Sequence, residues 1–188
     1  PVSTSLSAVF AHAASWWTDL SVGSSHHVDP FSYVLWFLGI LGFGNASAAT
    51  VWTLIVSLPA AGLSAWLFTA NVTDSRGIRI LSGFFWALVP TLHVAIAQGR
   101  LGAVIFHVLL PLFALALIRA VGAGLDPKRY LDPIAMRRTE VEMVLKPGIN
   151  SVPSWTAAGS ASLLLAVLAA SAPAATLPLA IAVLLMFV

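Results

Sequence analysis

The feature that most limits how this chain can fold is a long run of residues, Ala46–Ala70, without one charged side chain. A helix needs roughly 20 consecutive apolar residues to cross the hydrocarbon core of a bilayer. This run is longer than that, so it predicts a membrane-spanning helix with a kink at Pro59. Two further runs, Ile80–Ala97 and Ala103–Val121, predict that residues 46–121 form three transmembrane helices.

Composition excludes a soluble fold of this size. Of the 188 residues, 59% are hydrophobic and only 9% are charged, whereas soluble domains carry about 25% charged residues. A chain so poor in polar groups cannot cover a surface that faces water, and a lipid solvent removes that requirement. The absence of cysteine excludes disulfides and thiolate metal sites. The predicted fold class is therefore all-α, a polytopic transmembrane helix bundle.

The carboxy-terminal part adds more membrane helix. Residues 155–188 predict a fourth helix, Trp155–Ser171, and the start of a fifth from Leu177. The fourth is rich in Ala, Ser and Gly, and small residues let helices approach closely in lipid, so we expect it inside the bundle. The chain begins at Pro1 and ends within an apolar run, so we expect it to be excised from a larger protein. The remainder of the parent chain is then an expected partner.

The distribution of positive charge indicates the orientation. The loops at 71–79 and 122–154 fall on one side of the membrane if the three helices alternate in direction. Together with the end of the third helix, that side carries eight of the nine Lys and Arg residues: Arg76, Arg79, Arg119, Lys128, Arg129, Arg137, Arg138 and Lys146. Only Arg100 lies opposite. Because Lys and Arg accumulate in cytoplasmic loops, the sequence predicts a multi-pass plasma-membrane protein in which loops 71–79 and 122–154 are cytoplasmic.

The amino-terminal part leaves two topologies open. Residues 1–30 are more polar and are predicted to form an extracytoplasmic loop with a short helix at 6–17. Residues 31–44 are apolar but too few to span, which is typical of an interfacial or re-entrant helix. Asp29-Pro30 resembles a helix start, with Asp as N-cap and Pro at N1. If residues 31–44 crossed the membrane instead, residues 1–30 would lie inside the cell.

Four ionisable side chains lie close together in the predicted outer loop: Asp19, His26, His27 and Asp29. Carboxylates and imidazoles can act as a general base, bind phosphate or hold a divalent metal. A zinc centre is disfavoured because the spacing is not that of a zinc-binding helix. The structural alternative is that Asp29 caps the following helix and the histidines are solvated.

Arg100 is a second candidate. It lies in Gln98-Gly-Arg-Leu-Gly102, where flanking glycines allow a tight turn close to a ligand, and its guanidinium suits a phosphate. A snorkelling arginine at lipid headgroups is the alternative. His93 and His107, on the two helices that this turn joins, could approach each other, although a buried, hydrogen-bonded histidine is the more common outcome.

Several short motifs, taken in order, resemble a known family. They are Trp16-Trp17, Asp29-Pro-Phe31, Ser75-Arg76, Phe85-Trp-Ala-Leu-Val-Pro90, Gln98-Gly-Arg-Leu-Gly102 and Leu109-Leu-Pro-Leu112. Together they cover residues 16–120 and resemble the multi-spanning membrane region of large actinobacterial cell-envelope glycosyltransferases. One group of these enzymes carries a cytoplasmic family-2 glycosyltransferase domain ahead of that region. Another comprises the arabinofuranosyltransferases of arabinogalactan synthesis, which have the GT-C fold.

The resemblance implies a GT-C-like bundle that transfers a sugar, with inversion, from a polyprenyl-phosphate donor to a hydroxyl of a growing glycan. A carboxylate of the outer loop would take the acceptor proton, and Asp29 and Asp19 are the positions that could match. The residues expected to bind the donor are Arg100, Gln98, His26 and His27. The chain departs from the family in having no Asp-Asp or Asp-Glu pair in this loop.

Two other functions are compatible with the same sequence. One is a non-catalytic membrane scaffold or lipid-carrier conduit fused to a cytoplasmic family-2 glycosyltransferase domain, where the chemistry would then lie. The other is a transporter or flippase, because Pro59, Pro90 and Pro111 interrupt helices as in transporters. The expected partners are membrane lipid, the polyprenyl-phosphate sugar donor and the glycan acceptor, and no nucleic acid.

Overall fold

The computed structural model describes residues 6–15, 17–19, 25–27, 29–73, 75–122 and 153–186, with the backbone alone for 17–19, 25–27, 46, 185 and 186. Its elements, in chain order, are α1 (Leu6–Ala14), β1 (Trp17–Asp19), β2 (Ser25–His27), α2 (Phe31–Leu41), α3 (Ala46–Ala70), α4 (Arg76–Leu88), α5 (Pro90–Ala97), α6 (Leu101–Ala120), α7 (Trp155–Ser171), a 3-10 turn (Pro173–Ala175) and α8 (Thr176–Met186). Most of the predicted cytoplasmic loop 122–154, including its five Lys and Arg residues, lies outside the described residues.

Three helical segments are long and apolar enough to cross a membrane: Ser47–Ala70, Arg76–Ala97 and Leu101–Ala120. They correspond to the three predicted spans, so the prediction of three helices long and apolar enough to cross a bilayer is confirmed. Large apolar side chains such as Leu63 and Phe84 are exposed on their outer faces. Those faces suit hydrocarbon as the surrounding solvent, because backbone polar groups within a helix are already paired.

Spans that follow one another in the chain run in opposite directions, and so they define two ends of the bundle. At the Arg100 end, α3 begins, α5 ends, α6 begins and α7 ends. Here Gly102 is so close to α7 that a Cβ on it would stand 2.5 Å from the carbonyl oxygen of Ser171. At the opposite Asn71 end, Nε and Nη2 of Arg119 donate to Asn71 Oδ1 at 3.2 and 2.8 Å. The turn at Arg100 and the loop after Asn71 therefore lie at opposite ends, as the alternation of the helices predicts.

Helix α2 lies across the Arg100 end. The ring of its first residue, Phe31, lies 3.6 Å from where a Cβ on Gly102 of α6 would stand, and its C-cap, Gly42, packs against Ala49 in the first turn of α3. Both ends of α2 thus touch the same end of the bundle, and its 11 residues are fewer than the roughly 20 that span a bilayer. This placement favours an interfacial helix over a spanning one.

Helix α1 packs against α2, and a short hairpin lies between the two helices in the chain. The rings of Phe10 and Trp36 lie 5.0 Å apart and are tilted by 47°, which joins α1 to α2. Between these helices, β1 and β2 form a two-stranded antiparallel hairpin in which Trp17 lies opposite His27. The predicted first helix therefore ends at Ala14, and a strand begins at Trp17. Elsewhere the described structure is helical.

The second span is broken near its middle. It begins at Arg76, four residues earlier than predicted. Arg79 lies within the helix, but its side chain reaches back to the loop, where Nε donates to the carbonyl of Thr73 at 2.8 Å. The charged group therefore stays at the loop although the backbone of Arg79 is helical. The chain then leaves helical geometry at Val89, where ψ is 127°, and resumes it at Pro90. Proline has no backbone N–H and clashes with the preceding turn, so the predicted interruption is confirmed.

Small residues set the closest helix crossings. Where α3 meets α4, a Cβ on Gly83 would stand 2.9 Å from the carbonyl oxygen of Gly62. Nearer the Asn71 end, the hydroxyls of Thr69 and Ser82 are hydrogen-bonded at 2.7 Å. Close backbone approach and hydroxyl bonds between helices are what hold helices together in lipid, where the hydrophobic effect supplies no drive.

One face of α7 is packed against α6. Ala161 and Leu168 are buried with Phe113 and Leu117 of α6, and apolar residues of α8 cover the same cluster. The opposite side of α7 is open, since Leu163 is 73% exposed. The expected position of the fourth helix inside the bundle thus holds for one of its faces.

Candidate functional site

A large apolar groove lies in the half of the bundle nearest the Arg100 end. It is lined by residues within 30–43 around α2, 48–60 of α3, 104–109 of α6 and 166–170 of α7. Its volume is about 1110 Å³, which exceeds the roughly 300–1,000 Å³ of typical small-molecule pockets. The groove therefore has room for a long molecule.

The groove offers an occupant almost nothing polar. Among the described residues that line it, none is charged and only three carry hydroxyls. Two of these are turned to their own helix: Thr53 Oγ1 donates to the carbonyl of Ala49 at 2.8 Å, and Ser57 Oγ donates to that of Leu54 at 2.7 Å. The third, Tyr33, belongs to the first turn of α2. Hydrocarbon matches such a surface, whereas a sugar or phosphate would lose its hydration there without replacement.

The turn between α5 and α6 presents Arg100 at the same end. Gly99 adopts a positive φ of 64°, which a side chain would disfavour. The N–H of Gly99 bonds the carbonyl of Ile96 and the N–H of Arg100 bonds that of Ala95, the two bonds of a Schellman motif. The Arg100 backbone is thus fixed, while its side chain is exposed and forms no hydrogen bond or ion pair with any described residue. Gln98, beside it, is also exposed.

Asp29 caps α2. Its Oδ1 accepts the N–H of Phe31 at 3.0 Å, and Pro30 has helical angles of −53° and −23°, so the predicted helix start is confirmed. Capping uses one carboxylate oxygen of an exposed side chain. Because Phe31 lies against Gly102, Asp29 and Arg100 belong to two turns that meet at one end of the bundle, next to the groove.

The hairpin brings three further candidates into one small element. Asp19 ends β1, opposite Ser25, and His26 and His27 lie in β2. Only one residue, Val28, separates His27 from Asp29 along the chain. The four outer-loop candidates therefore belong to one continuous unit at the Arg100 end, although the side chains of Asp19, His26 and His27 lie outside what the structure describes.

The two histidines of the spans are not paired with each other. His93 Nδ1 lies 3.2 Å from the carbonyl of Val89 on its own helix. His107 instead contacts Trp86 of α4, with the rings stacked at 4.5 Å and 17°. His107 Nε2 lies 3.0 Å from the Trp86 carbonyl, and Trp86 Nε1 donates to the His107 carbonyl at 3.1 Å. His107 is thus a hydrogen-bonded interhelical residue, the more common outcome for such a histidine.

Sequence reasoning missed the groove and the partner of His107. The groove needs the position of α2 across three other helices, and no local pattern encodes that arrangement. A signal for the partner was present, because Trp86 and His107 each stand four residues before a proline, Pro90 and Pro111. Each of these residues has a ring N–H group, and the proline that follows each of them removes the helical partner of its carbonyl. That pattern indicates that each carbonyl needs a partner from another helix.

The arrangement shows no built metal centre within the parts whose side chains are described, since no three His, Asp or Glu side chains come together there. What the end of the bundle combines is one cation, one carboxylate and an apolar groove. The described fold is helical, with three segments long and apolar enough to span a bilayer, which fits a membrane protein. Comparison with known proteins finds no match: no protein family, curated relative or solved structure is similar to the chain.

Proposed function

We propose that this chain is the membrane part of a glycosyltransferase of cell-envelope polysaccharide synthesis that uses a polyprenyl-phosphate-linked sugar. The observation that carries the proposal is the apolar groove beside the Arg100 end. A polyprenyl phosphate is a long branched hydrocarbon with a charged head, and it needs an apolar channel next to a polar, cation-bearing surface. Here the apolar groove lies next to the end of the bundle that carries Arg100.

In this proposal the Arg100 end faces the outside of a plasma membrane. The described cations at the opposite end, Arg76, Arg79 and Arg119, agree with the positive-inside rule. The lipid chain lies in the groove, and its phosphate binds the Arg100 guanidinium, which is well suited to phosphate. Gln98, His26 and His27, which belong to the same end of the bundle, are the other residues proposed to bind the donor.

The chemical step assigned to this end is displacement at the anomeric carbon. Asp29, or Asp19 of the neighbouring hairpin, accepts the proton of an acceptor hydroxyl on the glycan. The acceptor oxygen forms the new bond to the anomeric carbon as the bond to the donor phosphate breaks, which inverts the configuration and releases polyprenyl phosphate. The GT-C-like fold is part of the proposal, and its support is the order of outer loop, short interfacial helix and spans.

A transfer assay with the whole protein tests the carboxylate. Asp29→Asn preserves a side chain that caps helices as well as Asp does, so it removes the base and keeps the fold. Loss of a general base costs on the order of 10²- to 10⁴-fold in kcat. Asp19→Asn is the matched variant one element away. If both variants keep full activity, the assignment of catalysis to this loop is wrong.

The groove is tested separately in the same assay. Ala60→Trp places a large side chain in the α3 wall of the groove, and it is expected to raise the KM for the lipid-linked donor. Leu63→Trp, on the exposed face of the same helix, is the control and should leave KM unchanged. Equal KM values in both variants and in the native protein would contradict the role of the groove.

The same groove also fits the second candidate, a lipid-carrier conduit fused to a transferase domain. The two differ in the outcome of the variants. A conduit predicts that Ala60→Trp impairs transfer while Asp29→Asn and Asp19→Asn do not. A catalytic membrane domain predicts that a carboxylate variant and the groove variant both impair it.

A further inference from the structure

Pro90 and Pro111 each leave one backbone carbonyl without its helical partner. In an α-helix the N–H of residue i bonds the carbonyl of residue i−4, and proline has no N–H to give. The carbonyls that the missing proline N–H groups would have bonded are those of Trp86 in α4 and His107 in α6, while the break at Val89 also ends the helical bonding of the last α4 carbonyls. Inside a bilayer such groups must find a partner within the protein, because no water is available.

Each of these residues supplies the partner for the other. Trp86 Nε1 donates to the His107 carbonyl at 3.1 Å. His107 Nε2 lies 3.0 Å from the Trp86 carbonyl, and since a carbonyl can only accept, Nε2 carries the hydrogen. The two rings also stack on each other, with their centroids 4.5 Å apart. Trp86, Pro90, His107 and Pro111 therefore form one unit, which we name the proline lock.

The proline lock stands directly behind the groove. Val104 and Val108 of α6 line the groove. Val104 also belongs to a buried apolar cluster, and Val108 and Trp86 both pack against that cluster. Leu92 and Ala95 of α5 are buried in that cluster, and α5 leads straight into the Arg100 turn. A change in the bend at Val89–Pro90 would therefore move both the turn and the α6 wall.

We infer that Trp86 and His107 are positioning residues, which hold the bend between α4 and α5 so that the Arg100 turn stays in place beside α2 and the groove. The inference concerns the shape of the site and stands whether or not the protein transfers a sugar. It makes two separable claims. The hydrogen bonds serve the carbonyls that proline frees, and the bend they stabilise sets the position of the turn.

The first claim predicts a specific pattern of coupling. His107→Leu leaves the Trp86 carbonyl unpaired and lowers the thermal unfolding midpoint in detergent by roughly 4 to 8 °C. In a Pro90→Ala background residue 90 regains its N–H, so the same substitution should cost much less. Pro111→Ala should not rescue it. His93→Leu, on the neighbouring helix, is the matched control and should change the midpoint little, because the Val89 carbonyl already accepts the N–H of Leu92.

The second claim is tested by a distance across the groove mouth. The chain has no cysteine, so spin labels on Gln98→Cys and Phe43→Cys report specifically how far the turn lies from the end of α2. His107→Leu should shift or broaden this distance distribution. Pro90→Ala with His107→Leu should recover the unfolding midpoint and still show a displaced turn, because a straightened helix satisfies the carbonyl without restoring the bend.

Each outcome bears on the inference. If Pro90→Ala fails to rescue His107→Leu, or if Pro111→Ala rescues it equally, the assignment of the hydrogen bonds is wrong. If the double variant restores the native distance together with the midpoint, the proline lock stabilises the fold without positioning the turn. Neither measurement uses a sugar donor, so failure of the proposed function would leave these results unaffected.

Discussion

At the scale of single residues, glycine decides how closely α6 and α7 approach. Gly102 lies in the first turn of α6, where an added Cβ would stand 2.5 Å from the carbonyl oxygen of Ser171. That oxygen belongs to the backbone, so the clash can be relieved only by moving a helix. Phe31 of α2 touches the same glycine, so the displacement would reach the wall of the groove as well.

We therefore expect Gly102→Ala to destabilise the protein by about 1 to 3 kcal/mol, as overpacking does. Gly159→Ala is the matched control, because an added Cβ at Gly159 of α7 meets no atom within 4 Å. Alanine is the better helix former there, so this variant should be neutral or slightly more stable. Thermal unfolding in detergent distinguishes the two, and equal midpoints would contradict the close contact between α6 and α7.

At the scale of the elements, the boundaries of the long helices were the most predictable part of the structure. Ala46–Ala70 and Trp155–Ser171 are helical over the predicted residues, because an uncharged apolar run in lipid has no alternative to pairing its own backbone. The third span was predicted to within two residues at its start. The two strands were not predicted, since Trp17–Asp19 and Ser25–His27 are too short to show an alternating pattern.

Some features of the candidate site could be predicted from short sequence motifs, whereas others depend on how distant helices pack. The cap by Asp29 and the turn at Arg100 follow from short motifs, Asp-Pro and Gln-Gly-Arg, whose backbone preferences are local. The groove and the pairing of His107 with Trp86 depend on which helix lies beside which. The spacing to Pro90 and Pro111 marks Trp86 and His107 individually, but it does not show that these residues meet, since their contact spans 21 positions.

The hydrogen bonds between Arg119 of α6 and Asn71 at the end of α3 give a prediction at the scale of the elements. Asn71→Ala removes the two hydrogen bonds from Arg119 and a third from its own Nδ2 to the carbonyl of Leu67. Because these groups are exposed, we expect a loss of only about 1 kcal/mol. Amide hydrogen exchange should rise in the last turns of both helices.

Two variants control for the loss of these hydrogen bonds. Asn71→Asp keeps an acceptor for Arg119 and should preserve the slow exchange at the end of α6. Val72→Ala, at the exposed neighbouring position, should change neither helix. Unchanged exchange in Asn71→Ala would show that the bonds do not hold the two helix ends together.

At the scale of the whole molecule, the direction of the helices decides which residues lie at the same end of the bundle. Three helices able to cross a membrane alternate in direction, and the end that carries Asp29, Arg100 and the groove lies opposite the end that carries the other described cations. Helix α2 lies across the first of these ends, so the amino-terminal hairpin belongs there too. If hydrocarbon surrounds the helices, the cation-rich end faces the cell interior, and the candidate site faces out.

The most direct test is the accessibility of single cysteines in intact cells that express the whole protein, since the described chain has none of its own. Phe43→Cys and Gln98→Cys mark the Arg100 end, and Val72→Cys marks the Asn71 end, all at exposed positions. The account predicts that a membrane-impermeant maleimide labels Phe43→Cys and Gln98→Cys from outside and reaches Val72→Cys only after permeabilisation. Labelling of Val72→Cys in intact cells, with Gln98→Cys protected, would contradict it.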